Sequence, residues 1–324
     1  MMKQHVPAET SGLVEFLPGE RTAFGTDFAH FKHKFNQSGQ FTDAELAKLI
    51  DRYPREFYML TTMTLVGDKP VWRNGDFNGA SGREVLEAIR NGRFWLCLRR
   101  LDIVAPEIAE LIDQGFEDIE AGNPTLKTTR RVSSLLISSP GARVLYHADI
   151  PMVSLWHIRG RKRVWLYDAD NPEHLPNPVL EGIVLRETEE EIPYEPSWDQ
   201  QAMTVDLEPG WAVTWPQNAP HRIDNLDSMN VSVTTDYFTP QAQRKYGVYF
   251  ANGIIRRWLR LSPRSIDVSG IGATMKCAFA LIVKKLGLQR HNEREMIMSF
   301  KLDPANPGQL FDLPSEEQVP IIQA

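Results

Sequence analysis

Cysteine and long apolar runs are both scarce in this sequence. Cys97 and Cys277 are the two cysteines among 324 residues, and both stand among apolar neighbours, which favours buried reduced thiols over a disulfide framework. The longest apolar run covers residues 277–283, far short of the roughly 18 residues that a membrane span needs. The segment behind Lys3 has no apolar core and does not resemble a secretory leader. We therefore expect a cytoplasmic protein without membrane association.

The sequence also lacks an excess of positive charge. Its 36 lysines and arginines are outnumbered by 42 acidic residues, which gives a formal net charge of -6 and a pI near 5.8. Proteins that bind nucleic acid by attraction to its phosphates show the opposite balance, so nucleic acid is not the expected partner. With 42% hydrophobic and 24% charged residues, the composition is that of a globular chain and excludes a disordered or collagen-like one.

Hydrophobic periodicity divides the chain into three regions. Residues 1–126 are predicted to form a mixed α/β region that includes a strand at Phe94–Leu98. Residues 127–240 are predicted to be all-β, and residues 241–324 a C-terminal helical region with a polar tail. The predicted helices cover residues 43–53, 84–89, 106–120, 249–259 and 275–286.

The central region contains short β-type runs separated by turn residues. Pro140-Gly141 and Pro209-Gly210 mark tight turns, and no helical period intervenes. Many short strands with such turns favour a sandwich or a jelly roll over a parallel sheet. We therefore predict a mainly β fold with a jelly-roll core between the N-terminal α/β region and the C-terminal helices. The predicted strands cover residues 132–138, 143–146, 155–167, 203–207, 211–215 and 231–238.

Two histidines and one aspartate of the central region could share a metal site. His147 and Asp149 stand two apart at the end of a predicted strand, where alternation places both side chains on one face. His221 begins a later β-type stretch, and a jelly roll can return such a distant segment to the same sheet. Two imidazoles and one carboxylate form the facial triad of non-haem Fe(II) oxygenases. A His-x-Asp pair alone is a weak motif, which also fits a surface pair or a hydrogen-bonded core histidine.

Lys162 is a second candidate for a ligand-binding role. If residues 155–167 form one strand, alternation groups Lys162 with apolar residues such as Trp156 and Val164 and places His157 on the opposite face. An isolated ammonium on an apolar face is costly unless an anion meets it. A bound dicarboxylate would meet that need. A lysine that reaches the rim of the barrel, or one that pairs with a buried acid, fits the position equally well.

The order and spacing of these residues resemble a known family. The motifs that carry the resemblance are His147-x-Asp149, Gly160-x-Lys162 and Pro209-Gly210 followed by Pro216 and Pro220-His221. Over about residues 130–240 they are similar to the JmjC and cupin-like branch of the Fe(II)/2-oxoglutarate oxygenases, which includes the asparaginyl hydroxylase acting on hypoxia-inducible factor.

This resemblance implies both a fold and a chemistry. The implied core is a double-stranded β-helix in which His147, Asp149 and His221 hold Fe(II). Lys162 would bind the distal carboxylate of 2-oxoglutarate. The implied reaction is hydroxylation of a C–H bond, in which the protein supplies positioning and shielding. The substrate class stays open between a small molecule and a peptide or protein side chain, and histone demethylation is not implied.

The last predicted strand offers one more contact for the cosubstrate. Alternation places Asn230, Ser232, Thr234 and Asp236 on one face. This polar row could line the site or face solvent. Thr234 is our candidate for a contact with 2-oxoglutarate.

Three positions depart from the family pattern. Val144 and Val153 stand where relatives often carry a polar group that touches the cosubstrate, and Trp211 stands where many carry aspartate. These changes keep a different class of function open, namely a non-catalytic cupin-type protein that binds a metal or ligand or acts as a scaffold. A cupin isomerase or epimerase, which would have little use for Lys162, is a further alternative.

Two other charged segments are expected to be solvated. His30 and His33 stand in a basic stretch that lacks further metal ligands nearby in the sequence. The acidic segment, residues 187–199, is an insertion within the β region; Glu187, Glu189, Glu190, Glu191, Glu195 and Asp199 are its acidic members. If this segment overhangs the mouth of the barrel, it would favour a cationic substrate such as a basic peptide or an amine.

The apolar helix predicted at residues 275–286 requires a surface to cover it. One explanation is that it packs on the N-terminal region. The other is a homodimer formed through the C-terminal helices, as in some relatives of this branch.

Overall fold

The computed structural model describes residues 12–17, 19–66, 69–188, 190–263, 265–288 and 296–321. Its helices are α1 Asp43–Asp51, α2 Gly82–Asn91, α3 Leu101–Val104, α4 Pro106–Gly122, α5 Asn177–Val184, α6 Pro240–Leu259 and α7 Gly270–Lys285. Strands of the first half are β1 Val14–Phe16, β2 Ala29–His33, β3 Tyr58–Val66, β4 Lys69–Asp76, β5 Phe94–Leu98, β6 Thr129–Ser138, β7 Arg143–His147 and β8 Met152–Arg159. Strands of the second half are β9 Lys162–Leu166, β10 Met203–Leu207, β11 Trp211–Thr214, β12 His221–Asn225, β13 Asn230–Phe238, β14 Ile297–Leu302, β15 Leu310–Asp312 and β16 Val319–Pro320.

The N-terminal helices begin where capping residues stand in the sequence. At α1 the Thr42 hydroxyl accepts a hydrogen bond from the Glu45 amide. At α2, Ser81 and Glu84 form a reciprocal capping box. The strand predicted at Phe94–Leu98 is β5 with its observed bounds, whereas β2, β3 and β4 were not predicted. In β4 the alternating pattern is interrupted by proline and glycine, and the neighbouring strands supply the pairing.

Two sheets lie face to face in the central region. The longer sheet has the strand order β1-β2-β11-β8-β13-β6-β5-β3-β4-β14-β15, with β16 paired to β14, and the shorter sheet has the order β10-β9-β12-β7. We call the space between the shorter sheet and strands β11-β8-β13-β6 the interior. Its buried apolar residues are Val153, Leu155, Val164, Leu166, Val205, Leu207, Val213, Trp215, Ala219 and Ile223. The sheet-rich core expected from the sequence is therefore present, but the prediction that residues 127–240 are all-β was wrong, because α5 lies between β9 and β10.

A tight turn at Gly160 separates β8 from β9, so the prediction of one strand over residues 155–167 was wrong. β8 belongs to the longer sheet and β9 to the shorter one. Gly160 has φ +83°, and a Cβ added there would lie 2.7 Å from the Met229 carbonyl oxygen, so glycine is required. Because the strand is broken, alternation does not separate His157 from Lys162. Burial, and then the charge of Lys162, lower the pKa of His157 to about 3.

The two long C-terminal helices pack on each other. Cys277 of α7 contacts the Arg244 carbonyl of α6, and Ala280 and Val283 are buried with Phe250. The prediction that the apolar helix packs on the N-terminal region was therefore wrong. None of the described helices has the length and apolarity required to cross a membrane.

Strands β14 to β16 occupy the region where the sequence predicted a polar tail. β14 pairs in parallel with β4. Phe300 of β14 is fully buried and lies so close to Gly75 that a Cβ on Gly75 would come within 2.3 Å of its ring. The C-terminal strands thus extend the longer sheet beyond β4, at the end opposite to β1 and β2. The division at residues 126 and 240 stays a prediction from the sequence.

Candidate metal centre

His147, Asp149 and His221 lie together at one end of the interior. Their nearest nitrogen and carboxylate oxygen atoms all fall within 4.8 Å of one another. Asp149 Oδ1 is 3.6 Å from His147 Nε2, and Asp149 Oδ2 is 3.4 Å from His221 Nε2. Protein ligands bind first-row metals at about 2.0–2.2 Å, so two ligands of one ion can lie up to about 4.4 Å apart. The separations of the Asp149 carboxylate from the two imidazole nitrogens, 3.6 and 3.4 Å, fall within that limit. The structure therefore brings together the three residues that the sequence proposed as a triad.

Strand pairing explains why the two histidines meet. β7 ends at His147, β12 begins at His221, and these two residues are direct partners in the antiparallel ladder. Their ring centroids are 4.1 Å apart. Asp149 lies just beyond β7 in the loop that leads to β8. Two strands and one loop thus place three donor atoms close together, although His221 lies 74 residues after His147 in the sequence.

Hydrogen bonds select the tautomer of both imidazoles. His147 Nδ1 lies 2.8 Å from the Leu145 carbonyl oxygen, and His221 Nδ1 lies 3.0 Å from that of Ala219. A carbonyl oxygen requires a donor, so Nδ1 carries the proton and Nε2 keeps a free lone pair. Burial, together with the neighbouring His147, lowers the pKa of His221 to about 4. Both observations fit imidazoles that ligate a metal through Nε2.

Lys162 lies deeper in the same interior. The register of β12 against β9 pairs His221 with Leu166 and Asn225 with Lys162, which places Lys162 on the order of 13 Å further along the strand. Its side chain shares the face of Val164 and Leu166, and the residue is 4% exposed. Burial lowers its pKa to about 7. Among the described residues no carboxylate forms an ion pair with it, and its contact with an anionic ligand stays a prediction.

The polar row on β13 faces the interior. Thr234 is the cross-strand partner of Leu155 on β8 and of Ser134 on β6, and cross-strand partners project to the same side of a sheet. Ser232 forms a 2.9 Å hydrogen bond with His157 Nδ1, and His157 Nε2 donates to the Gly160 carbonyl. The half-buried Thr234 thus faces the same interior as Lys162. Its contact with 2-oxoglutarate stays a prediction.

Two further carboxylates beside the triad were not selected as site residues from the sequence. Asp236 stands at the open end of the polar row and is exposed although β13 is paired on both sides, so its side chain opens onto the interior. Glu190 accepts a backbone hydrogen bond from Ala148, between the first two triad residues. We call Glu190 and Asp236 the acidic pair. Although both residues keep exposed surface, desolvation of their carboxyl groups, and then the nearby Asp149 carboxylate, raise the pKa of each to about 7.

The sequence contained a signal for both members of the acidic pair. Glu190 belongs to the acidic segment, and Asp236 belongs to the row that includes Thr234. The pairing of Glu191 with His147 is the long-range contact that brings the acidic segment to the triad, and local patterns do not encode it. Glu189 lies outside the described residues.

His30 and His33 lie away from the triad, and the expectation that they are solvated was wrong for His33. It belongs to β2 and is 4% exposed. Its Nε2 lies 3.1 Å from the His157 carbonyl and 3.2 Å from that of Trp211, and its Nδ1 accepts from the Phe35 amide. Both ring nitrogens are therefore used in the fold. The His30 ring stacks on Trp211 at 4.3 Å.

Comparisons with known proteins gave matches among solved structures. No family model matches the chain, and no curated protein does. An X-ray structure of Escherichia coli YcfD matches with a TM-score of 0.48 and 14% identity, over 86% of this chain and 70% of that one. A structure of the E. coli ribosomal oxygenase YcfD matches with a TM-score of 0.46 and 15% identity, over 86% and 69%. YcfD in complex with cobalt and 2-oxoglutarate gives the same values.

The descriptions of two of these structures name a ribosomal oxygenase, and the asparaginyl-hydroxylase branch named from the sequence stays a prediction. Each of the three TM-scores is below 0.5. We therefore transfer no function from them. The functional argument rests on the residues of the site.

Proposed function

We propose that this chain is an Fe(II)- and 2-oxoglutarate-dependent oxygenase that hydroxylates a C–H bond of a small molecule or a protein side chain. One observation carries the proposal. A two-histidine, one-carboxylate group and a buried lysine without a carboxylate partner among the described residues face one interior. A metal alone would require only the first of these, whereas a dicarboxylate that chelates the metal requires both. On this proposal the two facing sheets are the double-stranded β-helix of the JmjC and cupin-like oxygenases.

The donor set of the triad fits iron. Two neutral imidazole nitrogens and one carboxylate on one side of an ion leave the remaining coordination positions open, as in non-haem Fe(II) oxygenases. When bound, the metal would supply the oxidising chemistry from O2, coupled to decarboxylation of 2-oxoglutarate. The chain itself orients the ligands: the carbonyls of Leu145 and Ala219 fix the two rings.

The remaining residues of the interior would hold the cosubstrate. The Lys162 ammonium would neutralise the distal carboxylate of 2-oxoglutarate, and the Thr234 hydroxyl would donate a hydrogen bond from the adjacent wall. Val153, Leu155 and Val164 make the space between Lys162 and the triad apolar, which strengthens an ion pair formed there because water is excluded.

The acidic pair supports a substrate that carries positive charge. Neither Glu190 nor Asp236 forms an ion pair with a lysine or arginine of the described chain, and both lie near Asp149. At a pH above their raised pKa of about 7, the two carboxylates at the opening would attract a cation and repel an anion. A basic peptide or an amine therefore fits this opening better than an acidic or neutral compound.

Anaerobic titration of the metal-free protein with Fe(II) and 2-oxoglutarate tests the proposed function. We expect the visible charge-transfer band of a chelated 2-oxoglutarate to develop in the native protein and to be absent in His147→Ala. His30→Ala, which lies away from the triad, is the matched control and should keep the band. An intact protein that binds metal but never develops the band would contradict the proposal and favour the non-catalytic scaffold.

We also propose that α7 mediates a homodimer. Its solvent-facing side is apolar along its length, and its opposite side packs on α6. Ile271, Met275, Ile282 and Leu286 are 81%, 68%, 57% and 63% exposed and share one helical stripe. An antiparallel pair of α7 helices about a two-fold axis would cover both stripes and keep the two lysine-bearing ends apart.

A further inference from the structure

The Asp149 carboxylate belongs to a loop that the strand ladder does not hold. Asp149 and Ile150 lie between β7 and β8, and residues 215–220 form the loop that leads into His221. Pairing between β7 and β12 starts at His147 and His221 and continues away from these loops. The position of Asp149 relative to His221 must therefore be set by other contacts.

Two side-chain amides connect the loops directly. Asn218 Nδ2 donates to the Asp149 carbonyl at 2.8 Å and also lies 3.4 Å from the Ile150 carbonyl oxygen. Gln217 Nε2 donates to the same Ile150 carbonyl at 2.9 Å. Both residues are nearly fully buried, at 3% and 5% exposure. Because buried carbonyls need a donor, these amides are the contacts that satisfy the loop next to the carboxylate ligand.

The backbone and one neighbouring helix hold the amides in place. Asn218 has φ +66°, a left-handed conformation that asparagine adopts more readily than most residues. From α6, the half-buried Lys245 ammonium donates to the Gln217 carbonyl at 3.0 Å. The amide-bearing loop is thus tied to α6, and it can restrain the opposite loop.

We propose that Gln217 and Asn218 are positioning residues that set the geometry of the metal centre by holding the Asp149 loop against the His221 loop. We call this pair of residues the amide clamp. The inference rests on the proposed function, because it assigns the triad to a metal. Loss of outer contacts that orient ligands typically costs 10–100-fold in metal affinity. We expect a loss of that size on removal of the clamp.

Titration of the metal-free, full-length protein with Co(II) tests the clamp through the dissociation constant and the visible d–d spectrum. Asn218→Gly keeps the left-handed backbone accessible and removes the donor, and we expect Kd to rise about 10–100-fold with an altered spectrum. Asn78→Gly is the matched control. Asn78 also has positive φ, +58°, and its amide also donates to a backbone carbonyl, that of Leu302 at 3.1 Å, in the N-terminal region. The Kd of the Asn78→Gly variant for Co(II) should equal that of the wild type.

A second variant and a stability measurement make the outcome decisive. Gln217→Ala removes the hydrogen bond to the Ile150 carbonyl and leaves Asn218 in place. This variant is used to test the clamp if Asn218→Gly does not fold. Wild-type Kd and spectrum in the folded variants, even with a lower Tm of the metal-free protein, would overturn the clamp, because they show a structural role alone. Failure of the wild type to bind Co(II) would overturn clamp and proposed function together. A wild type that binds Co(II) but does not bind added 2-oxoglutarate would contradict only the oxygenase, and the clamp would still be judged by the Kd for Co(II).

Discussion

Arg222 forms an ion pair with Asp199 that ties the acidic segment to the strand that carries His221. The guanidinium carbon also lies 3.4 Å from the centroid of the Trp165 ring. The hydroxyls of Tyr167 and Tyr194 donate to the same carboxylate at 2.5 and 2.6 Å. One carboxylate thus collects three donors at the base of the segment that brings Glu190 to the triad.

Replacement of Asp199 by asparagine should destabilise the fold and remove part of its acid sensitivity. Burial acts to raise the pKa of Asp199, but hydrogen bonds from Arg222, Tyr167 and Tyr194 outweigh it and lower the pKa below its usual value. A folded pKa below the unfolded one gives stability that is present above about pH 4 and lost as pH falls through the folded pKa. We expect a loss of about 1–3 kcal/mol in the free energy of unfolding at pH 7, which shrinks toward pH 3.

Urea denaturation at pH 7 and pH 3 measures this difference. Asp206→Asn is the matched control, because Asp206 pairs with Arg163 at an exposed site, where ion pairs contribute about 0–1 kcal/mol. Equal losses in both variants at pH 7 would show that the Asp199 network contributes no more than a surface pair.

Replacement of Lys162 by methionine should stabilise the protein while it weakens cosubstrate binding. The variant removes a buried ammonium without an acidic partner in the described chain, so we expect the free energy of unfolding to rise by about 1–3 kcal/mol. The Kd for 2-oxoglutarate in the presence of Co(II) should be at least about 30-fold higher, because the distal carboxylate loses its buried partner. The thermal stabilisation that 2-oxoglutarate gives should fall accordingly. Thermal unfolding with and without 2-oxoglutarate checks both parts.

The same variant should also change the pH dependence of stability. The pKa of Lys162 in the fold, about 7, lies below its ordinary value of 10.5, so the unfolded chain binds more protons between these values. The free energy of unfolding of the wild type therefore increases as pH rises from 7 toward 10.5. Lys162→Met should remove that increase. A variant with unchanged slope would show that Lys162 is paired in solution.

The acidic pair should determine which substrates are accepted. The test measures succinate release with paired compounds, such as a lysine peptide and its acetyl-lysine form or an arginine peptide and its citrulline form. Within a pair that reacts, the charged compound should give a rate of succinate release about tenfold higher or more than the neutral one. Glu190→Gln with Asp236→Asn should reduce that preference mainly through KM, since the carboxylates attract the cation before the reaction. Glu195→Gln is the control at an exposed position of the same segment. Preferred turnover of the neutral compounds by the wild type would contradict this prediction.

A charge on α7 should separate the proposed dimer. Ile282→Glu places a carboxylate in the centre of the exposed apolar stripe, and light scattering after size exclusion should show the mass change from dimer to monomer. Ile103→Glu is the control, because Ile103 is also exposed, at 52%, but lies in α3. A wild-type chain that is monomeric at micromolar concentration would rule out this interface.

The sequence predicted those features that local patterns encode. The helix predicted at residues 43–53 begins at its observed residue, Asp43, whereas the one predicted at residues 84–89 begins two residues earlier, at Gly82. His147, Asp149 and His221 were identified by their spacing within a recognisable motif. The turn at Gly160 was missed because the flanking β-type residues form one continuous apolar alternation. The need for glycine there comes from the Met229 carbonyl, a contact between residues distant in the sequence.

Other features could not be predicted because they depend on pairing between distant segments. The acidic pair depends on the contact of the acidic segment with His147 and on the facing of β13 toward the interior. The burial of His33 depends on the docking of β2 beside β11. In each case the amino acids alone allow a solvated position, and the partner strand decides the outcome.

The parallel pairing of β14 with β4 has a consequence for how the protein is made. The edge of β4 receives its partner only after residues 297–302 have left the ribosome, which at typical synthesis rates is on the order of ten seconds or more after β4 itself emerges. Until then the nascent chain presents an unpaired strand edge that other chains can bind. Chaperones that cover such edges should therefore raise the yield of this protein more than that of a fold whose sheet closes early.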